Sequence, residues 1–384
     1  MRILMISGMF YPKVNGSVVA VSNMMRSLSE RGIQVTLVTR RERGSFPVEV
    51  KERARIVRVG RPGYALWARA LLALQLFVAA AKEARANRPD AIHVHGFTSL
   101  IAGAALGVSI RRPVVVSFHG IQRLWSAQAR WRSKTTLSLT FPLETMLVAT
   151  ASGVLAQSNR LRDVVIGLYK VDPDRIVVVP NPIDVSTFSY GSPTGLASPL
   201  VLFVGSLVRV HGPDLLVEAF PAILHDHPGA RLVIAGKGPL LRVLTDRINE
   251  LQLADSVDLL DEVKDVKELS RIYKDSRVVV LPLRYTGYIL SLVGEEAMAS
   301  GRPVVTTMML DDELRNFGVL QTSAHEGSLE KAVNTVLSWD ESRYQATSLQ
   351  ARRFAEDNFS LGSVGARLES IYKHAIFEFV RARR

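Results

Sequence analysis

The chain has no cysteine among its 384 residues, which excludes disulfides, thiolate metal sites and a cysteine nucleophile. It also lacks a clean apolar run of the roughly twenty residues that a membrane-spanning helix needs. The longest run, Tyr64 to Ala81, is broken by Arg69 and Gln75 and reads as a buried core helix. No short-period repeat and no low-complexity tract occurs. The first apolar run, Arg2 to Ser7, is too short for a secretory h-region and reads as a buried strand, so the expected location is the cytoplasm.

What is present suits a packed protein. Hydrophobic residues make up 47% of the chain, and its length fits two domains of roughly 150 to 200 residues. The net charge of +12 is unevenly spread: the first 195 residues carry 26 basic and 11 acidic side chains, net +15, and the rest is net −3. A basic half suits nucleic acid, an anionic membrane surface or an anionic substrate. No recognised RNA- or DNA-binding signature accompanies it, so nucleic acid is not the expected partner.

Apolar β-rich runs alternate with amphipathic segments: Arg2 to Ser7, Gln34 to Arg40, Ala91 to Val94, Pro113 to Phe118, Gly153 to Ala156 and Arg175 to Val179 read as strands. The pattern restarts after the Gly/Pro/Ser-rich stretch Tyr190 to Pro199, with strands at Leu200 to Gly205, Arg231 to Ala235, Ser256 to Leu260 and Arg277 to Pro282. Strands apolar on both sides and separated by helices predict parallel, doubly wound sheets. The fold class is α/β, with two Rossmann-like halves expected at 1–192 and 193–360. Val364, Leu368, Ile371, Ala375 and Phe379 form the stripe of a last amphipathic helix within 361–384.

Six stretches in order, FYPKVNG (Phe10 to Gly16), SFHG (Ser117 to Gly120), VVVPNPIDVSTF (Val177 to Phe188), VGSLVRVHGPDLLVEAF (Val204 to Phe220), IAGKGPL (Ile234 to Leu240) and EAMASGRPVV (Glu296 to Val305), carry a resemblance over essentially the whole chain. The sequence resembles the retaining glycosyltransferases of the GT-B fold, family 4. The resemblance implies two Rossmann-like domains facing a central cleft, with a nucleotide-sugar donor held mainly by the second and the last helix crossing back to the first. It also implies transfer with retention at the anomeric carbon, without a metal.

By the same resemblance His119 lies beside the donor sugar and helps stabilise the transition state; the alternative is a core histidine. Gly16 lets backbone approach a phosphate, or is a turn glycine. Gly205 begins the loop facing the diphosphate. Glu296 matches the second glutamate of the Glu-x7-Glu motif and would accept the ribose hydroxyls, or serve only as a helix-start acid. Glu295 beside it would oppose the helix dipole. His93 and His95 have no third partner that would make them metal ligands.

Three positions depart from the family pattern. Tyr288 stands where the first motif glutamate is expected, and no acid occurs from Val278 to Gly294. Ser206 and His211 occupy the positions of the Arg and Lys that clamp the diphosphate, and Arg209 lies two residues before His211. These losses sustain a second reading, a degenerate relative that binds or scaffolds without catalysis. A sugar-nucleotide epimerase shares the architecture, but EAMASG and VPNPID point away from it.

The acceptor side is expected in the basic first half, where Arg123, Arg130 and Lys134 with Trp125 and Trp131 suit a lipid headgroup layer or form a solvated face. A polyprenyl-linked, lipid or glycan acceptor would fit both the charge and the absence of a span. The acid pairs Asp172 to Asp174 and Leu310 to Glu313 read as loop acids rather than metal ligands.

Overall fold

The computed structural model describes residues 1–60, 66–119, 141–191, 199–260, 263, 265–284, 289–325 and 327–383. The first eight strands are β1 (Arg2–Ser7), β2 (Gln34–Arg40), β3 (Val48–Lys51), β4 (Ala54–Val59), β5 (Ala91–His95), β6 (Val114–Ser117), β7 (Gly153–Ala156) and β8 (Ile176–Val178). They form one sheet in the order β3-β4-β2-β1-β5-β6-β7-β8. All neighbours pair in parallel except β3 with β4. This antiparallel edge strand is an addition to the parallel, doubly wound sheet that the sequence predicts. Its strand Val-Glu-Val-Lys is short and alternates apolar with charged residues, a composition that protects an edge from pairing with another chain.

The inner strands are apolar on both sides because helices cover both faces. On one face Ile3, Met5, Leu37 and Val115 pack with the helix Gly16–Glu30 and with Val364, Leu368, Tyr372 and Ala375 of the last helix, Leu361–Arg381. On the unit's remaining side the helices Leu66–Asn87 and Phe97–Ile110 pack against each other, the first also against β1, β2 and β4 and the second against β1, β5 and β6. The first of these is only half buried. Leu72, Leu76 and Ala80 point inward, whereas Leu71, Leu74 and Val78 are exposed. The expected core helix is therefore a surface helix, and its outward side is apolar.

The second sheet holds β9 (Leu200–Val204), β10 (Arg231–Ala235), β11 (Val257–Leu260), β12 (Val278–Leu281), β13 (Val304–Thr306) and β14 (Val319–Gln321) in the order β11-β10-β9-β12-β13-β14, all parallel. Phe203, Phe220, Val280 and Tyr344 belong to the core on one face, and Leu202, Val279, Tyr273 and Phe359 to that on the other.

The chain divides into Met1–Pro182 with Leu361–Arg384, and Ile183–Ser360. The division falls ten residues before the expected 192/193 boundary. The segment after Pro182 belongs with the second unit because Ile183 bridges Ser360, Ser270 Oγ donates to the Thr187 carbonyl at 2.7 Å, and Arg352 donates to the Phe188 carbonyl at 2.6 Å. Its apolar residues Ile183 and Phe188 join that unit's core. Glycine and proline density marks flexible composition, but these buried contacts decide where the unit begins.

Candidate functional site

In open α/β sheets ligands bind outside the carboxyl ends of strands, where the strand order reverses. In the first unit this point lies between β1 and β5. The segment after β1 leads into the helix Gly16–Glu30, where Asn15 caps the start by accepting from Val18 N at 3.0 Å. Gly16 is exposed, and a Cβ built there would meet no protein atom within 4 Å. Nothing in the protein itself requires glycine at this position.

His95 ends β5, His119 follows β6, Gln157 follows β7 and Asn181 follows β8, so all four lie along one sheet edge. His93 and His95 are two residues apart on a strand and therefore share a face; their rings stand 4.2 Å apart. His93 Nδ1 is 2.7 Å from the Tyr372 hydroxyl and its Nε2 is 2.7 Å from Ser117 Oγ. His95 Nδ1 is 2.9 Å from His119 Nε2. Gln157 Nε2 is 2.9 Å from His119 Nδ1 and 3.0 Å from Asn181 Oδ1.

Burial holds all three imidazoles neutral. It lowers His93 to about 3, with the charge of His119 adding to the effect, and lowers His119 to about 4. His95 is pushed well below its ordinary value, first by burial and then by the neighbouring imidazoles. An amide donor faces His119 Nδ1 and burial depresses the ring's pKa, so it is not a standing cation. Gln157, Asn181 and Tyr372 carry no sequence signature of this network, because residues far apart in the chain meet only through the strand register.

In the second unit the reversal lies between β9 and β12. Gly205 and Ser206 follow β9, and a short 3-10 turn, Arg209–His211, leads through Gly212 into the helix Pro213–Asp226. Gly212 has φ +69°, and a Cβ there would overlap the Pro282 carbonyl oxygen. A Cβ at Gly236, after β10, would likewise overlap the Gly205 carbonyl oxygen. These close backbone approaches fix the loop against its two neighbours.

Ser206 and Arg209 are exposed. His211 Nδ1 donates to the Ser206 carbonyl at 3.0 Å. Burial lowers its pKa from 6.5, and the bond to Ser206 opposes that shift. At neutral pH His211 is thus an uncharged imidazole with its proton on Nδ1. Arg284 is a further cation at this loop, in a segment that no motif marks. It pairs with Asp214 in the first turn of the following helix and donates to the Arg209 carbonyl at 3.0 Å. It ties the loop after β12 to the loop after β9.

Glu295 and Glu296 lie in the helix Leu292–Ala299 and are only 2% and 7% exposed. Glu295 lies in the first turn of that helix, the position expected of an acid that opposes the helix dipole. Glu296 Oε2 accepts from the Tyr273 hydroxyl at 2.9 Å. Burial pushes Glu296 up to about 8, and the bond from Tyr273 pulls the other way. Tyr288 lies outside the described residues, as do Arg123, Trp125, Arg130, Trp131 and Lys134.

The acid pairs have local structural uses. Asp172 Oδ1 caps the turn Pro173–Arg175 by accepting from Asp174 N at 3.0 Å, and Asp312 pairs with Arg315 at 3.4 Å. Among the described residues no group of three His, Cys, Asp or Glu could hold a metal ion.

Comparison with known proteins places these features in context. Residues 14–187 match the model of Glycosyltransferase Family 4, and residues 198–338 match that of Glycosyl transferases group 1. The chain is 28% identical to the D-inositol 3-phosphate glycosyltransferase of Kineococcus radiotolerans, over 94% of this chain and 91% of that protein. Sucrose-phosphate synthase from Thermosynechococcus elongatus has the same fold, with a TM-score of 0.78 at 20% identity over 98% of this chain and 99% of that one. Anabaena Alr3699/HepE, solved in complex with UDP, gives a TM-score of 0.72 at 17% identity over 96% and 99% of the two chains.

Proposed function

The chain belongs to the family 4, group 1 type glycosyltransferases, and from that premise we propose that it moves a sugar from a nucleotide-sugar donor to a lipid-linked or glycan acceptor, with retention at the anomeric carbon. The observation that carries the proposal is the buried Glu296. A carboxyl group removed from water beside the point where the second sheet reverses, with one oxygen held by Tyr273, suits the ribose hydroxyls of a nucleotide. The relatives support the donor class: one has been solved with UDP.

In this reading the diphosphate lies along the loop Gly205–Gly212, where backbone groups and Arg209 meet the charge that develops as the glycosidic bond breaks. Arg284 neutralises Asp214, which would otherwise oppose an anion there. In the first unit, His119 acts in transfer as a neutral hydrogen-bonding group, and Gly16 leaves room for a close backbone approach. No metal is proposed in the reaction.

The proposed acceptor is polyprenyl-linked or otherwise lipid-borne, met at the cytoplasmic face by peripheral attachment. Exposed Leu71, Leu74 and Val78, followed on the same helix by exposed Lys82 and Arg85, give an apolar strip with adjoining cations that suits an anionic bilayer. No helix among the described residues is long and apolar enough to cross a membrane.

A non-catalytic relative remains the second reading, favoured by one observation: Ser206 and the neutral His211 provide no fixed cation at the diphosphate loop. Sugar transfer from a panel of UDP-, GDP-, ADP- and dTDP-sugars to lipid extracts distinguishes the two. The proposal requires transfer that is lost in Glu296→Ala; no transfer in the wild type, or full transfer in the variant, contradicts it.

A further inference from the structure

The polar chain at the carboxyl edge of the first sheet has a direction. Gln157 Nε2 uses one hydrogen for Asn181 Oδ1 at 3.0 Å and the other for His119 Nδ1 at 2.9 Å. An imidazole nitrogen that accepts carries no proton, so the proton of a neutral His119 is on Nε2. That N–H points at His95 Nδ1, 2.9 Å away, which must therefore accept. The proton of His95 is left on Nε2. This nitrogen is buried and has no hydrogen-bond partner among the described residues.

We propose that Gln157 and His95 are positioning residues for His119: together they fix its ring plane and hold its proton on Nε2. The inference rests on the proposed role of His119 in transfer. Two features favour positioning over a merely structural network. A core built only for packing would place an apolar group at position 95, because a buried N–H without a partner is costly. The chain is also anchored at its far end by Asn181, whose amide oxygen leaves Gln157 a single way to face His119 if both contacts are to be hydrogen bonds. The second histidine of the strand, His93, is satisfied separately by Tyr372 and Ser117. It supports the stack without belonging to the directional chain.

The test is nitrogen NMR of the full-length protein labelled on its histidine rings, with His95→Gln and His119→Gln used to assign the two signals. The expected wild-type spectrum shows both His119 and His95 protonated on Nε2. Gln157→Glu replaces the donating amide with a carboxylate, which can only accept when ionised, so the His119 signal should then show a proton on Nδ1. If transfer is measured, that variant should lose about 100-fold in kcat with the donor KM changed less than about threefold.

A wild-type His119 protonated on Nδ1 overturns the proposal, as does a Gln157→Glu protein whose His119 proton stays on Nε2 alone. The wild-type spectrum decides the tautomer even if the variant does not fold. It also decides it if no donor is turned over, a result that would contradict the proposed function and not the positioning.

Discussion

Tyr273 donates its phenolic hydrogen to Glu296 Oε2 across 2.9 Å, joining the helices Val266–Asp275 and Leu292–Ala299 in the interior of the second unit. The buried pair carries a cost in stability. Burial raises Glu296 from 4.5 to about 8, so folding near neutral pH requires the carboxyl to take up a proton. Its contribution to stability is fully present below the unfolded value and is lost as pH rises through about 8.

Glu296→Gln should therefore stabilise the protein by about 1 to 3 kcal/mol at pH 7.5 while weakening nucleotide binding. Denaturant unfolding at pH 5 and at pH 8 checks this. The difference between variant and wild type should grow with pH, and a difference that shrinks would contradict the assignment.

His211 offers the opposite opportunity. Its proton lies on Nδ1, engaged with the Ser206 carbonyl, and burial keeps the ring neutral. His211→Lys should add a fixed cation at the loop and tighten binding of a nucleoside diphosphate by roughly tenfold, the range of one charge-assisted hydrogen bond. Calorimetry at two salt concentrations would show the gain shrinking as salt rises.

The first unit should be sensitive to acid. His93, His95 and His119 are held neutral by burial, with folded pKa values below the ordinary 6.5. Their stability is present above the unfolded value and is lost as pH falls from 6.5 toward their folded values. Each contributes a slope of up to about 1.4 kcal/mol per pH unit in that window. Amide protection factors in the helix Leu361–Arg381, whose Tyr372 meets His93, should fall between pH 6.5 and 5 in the wild type once the intrinsic exchange rate at each pH is divided out. The fall should be smaller in His93→Gln.

Much of the fold was legible because parallel strands covered on both faces leave continuous apolar runs, as in Arg2–Ser7, Gln34–Arg40 and Arg231–Ala235. The strand Val48–Lys51 was not, since an alternating, charged edge looks like a loop. The boundary was misplaced because Ile183 and Phe188 are tied to the second unit by long-range contacts with no local pattern. The outward apolar strip of the helix Leu66–Asn87 was hidden for a related reason: composition shows that a helix is apolar all round, but not which side the sheet covers.

In the candidate site, Glu296 and His119 could be selected from motifs, whereas their partners Tyr273 and Gln157 could not. The spacing from Tyr273 to Glu296 and from His119 to Gln157 follows from helix and strand packing. The departures at Ser206 and His211 were readable as lost charge. Only the bond to the Ser206 carbonyl reveals which imidazole nitrogen carries the proton, and only the structure adds Arg284 to the loop.

If the second unit binds a nucleotide through Glu296, the nucleotide must stabilise the folded protein. Thermal unfolding of the wild type and of Glu296→Gln with UDP, GDP, ADP and dTDP tests it most directly. At about a hundred times its dissociation constant a ligand stabilises by roughly 2.7 kcal/mol, an upward shift of several degrees. Such a shift is expected for one nucleotide class in the wild type, with a much smaller one in the variant. No shift with any nucleotide, or the same shift in both proteins, would contradict binding through Glu296.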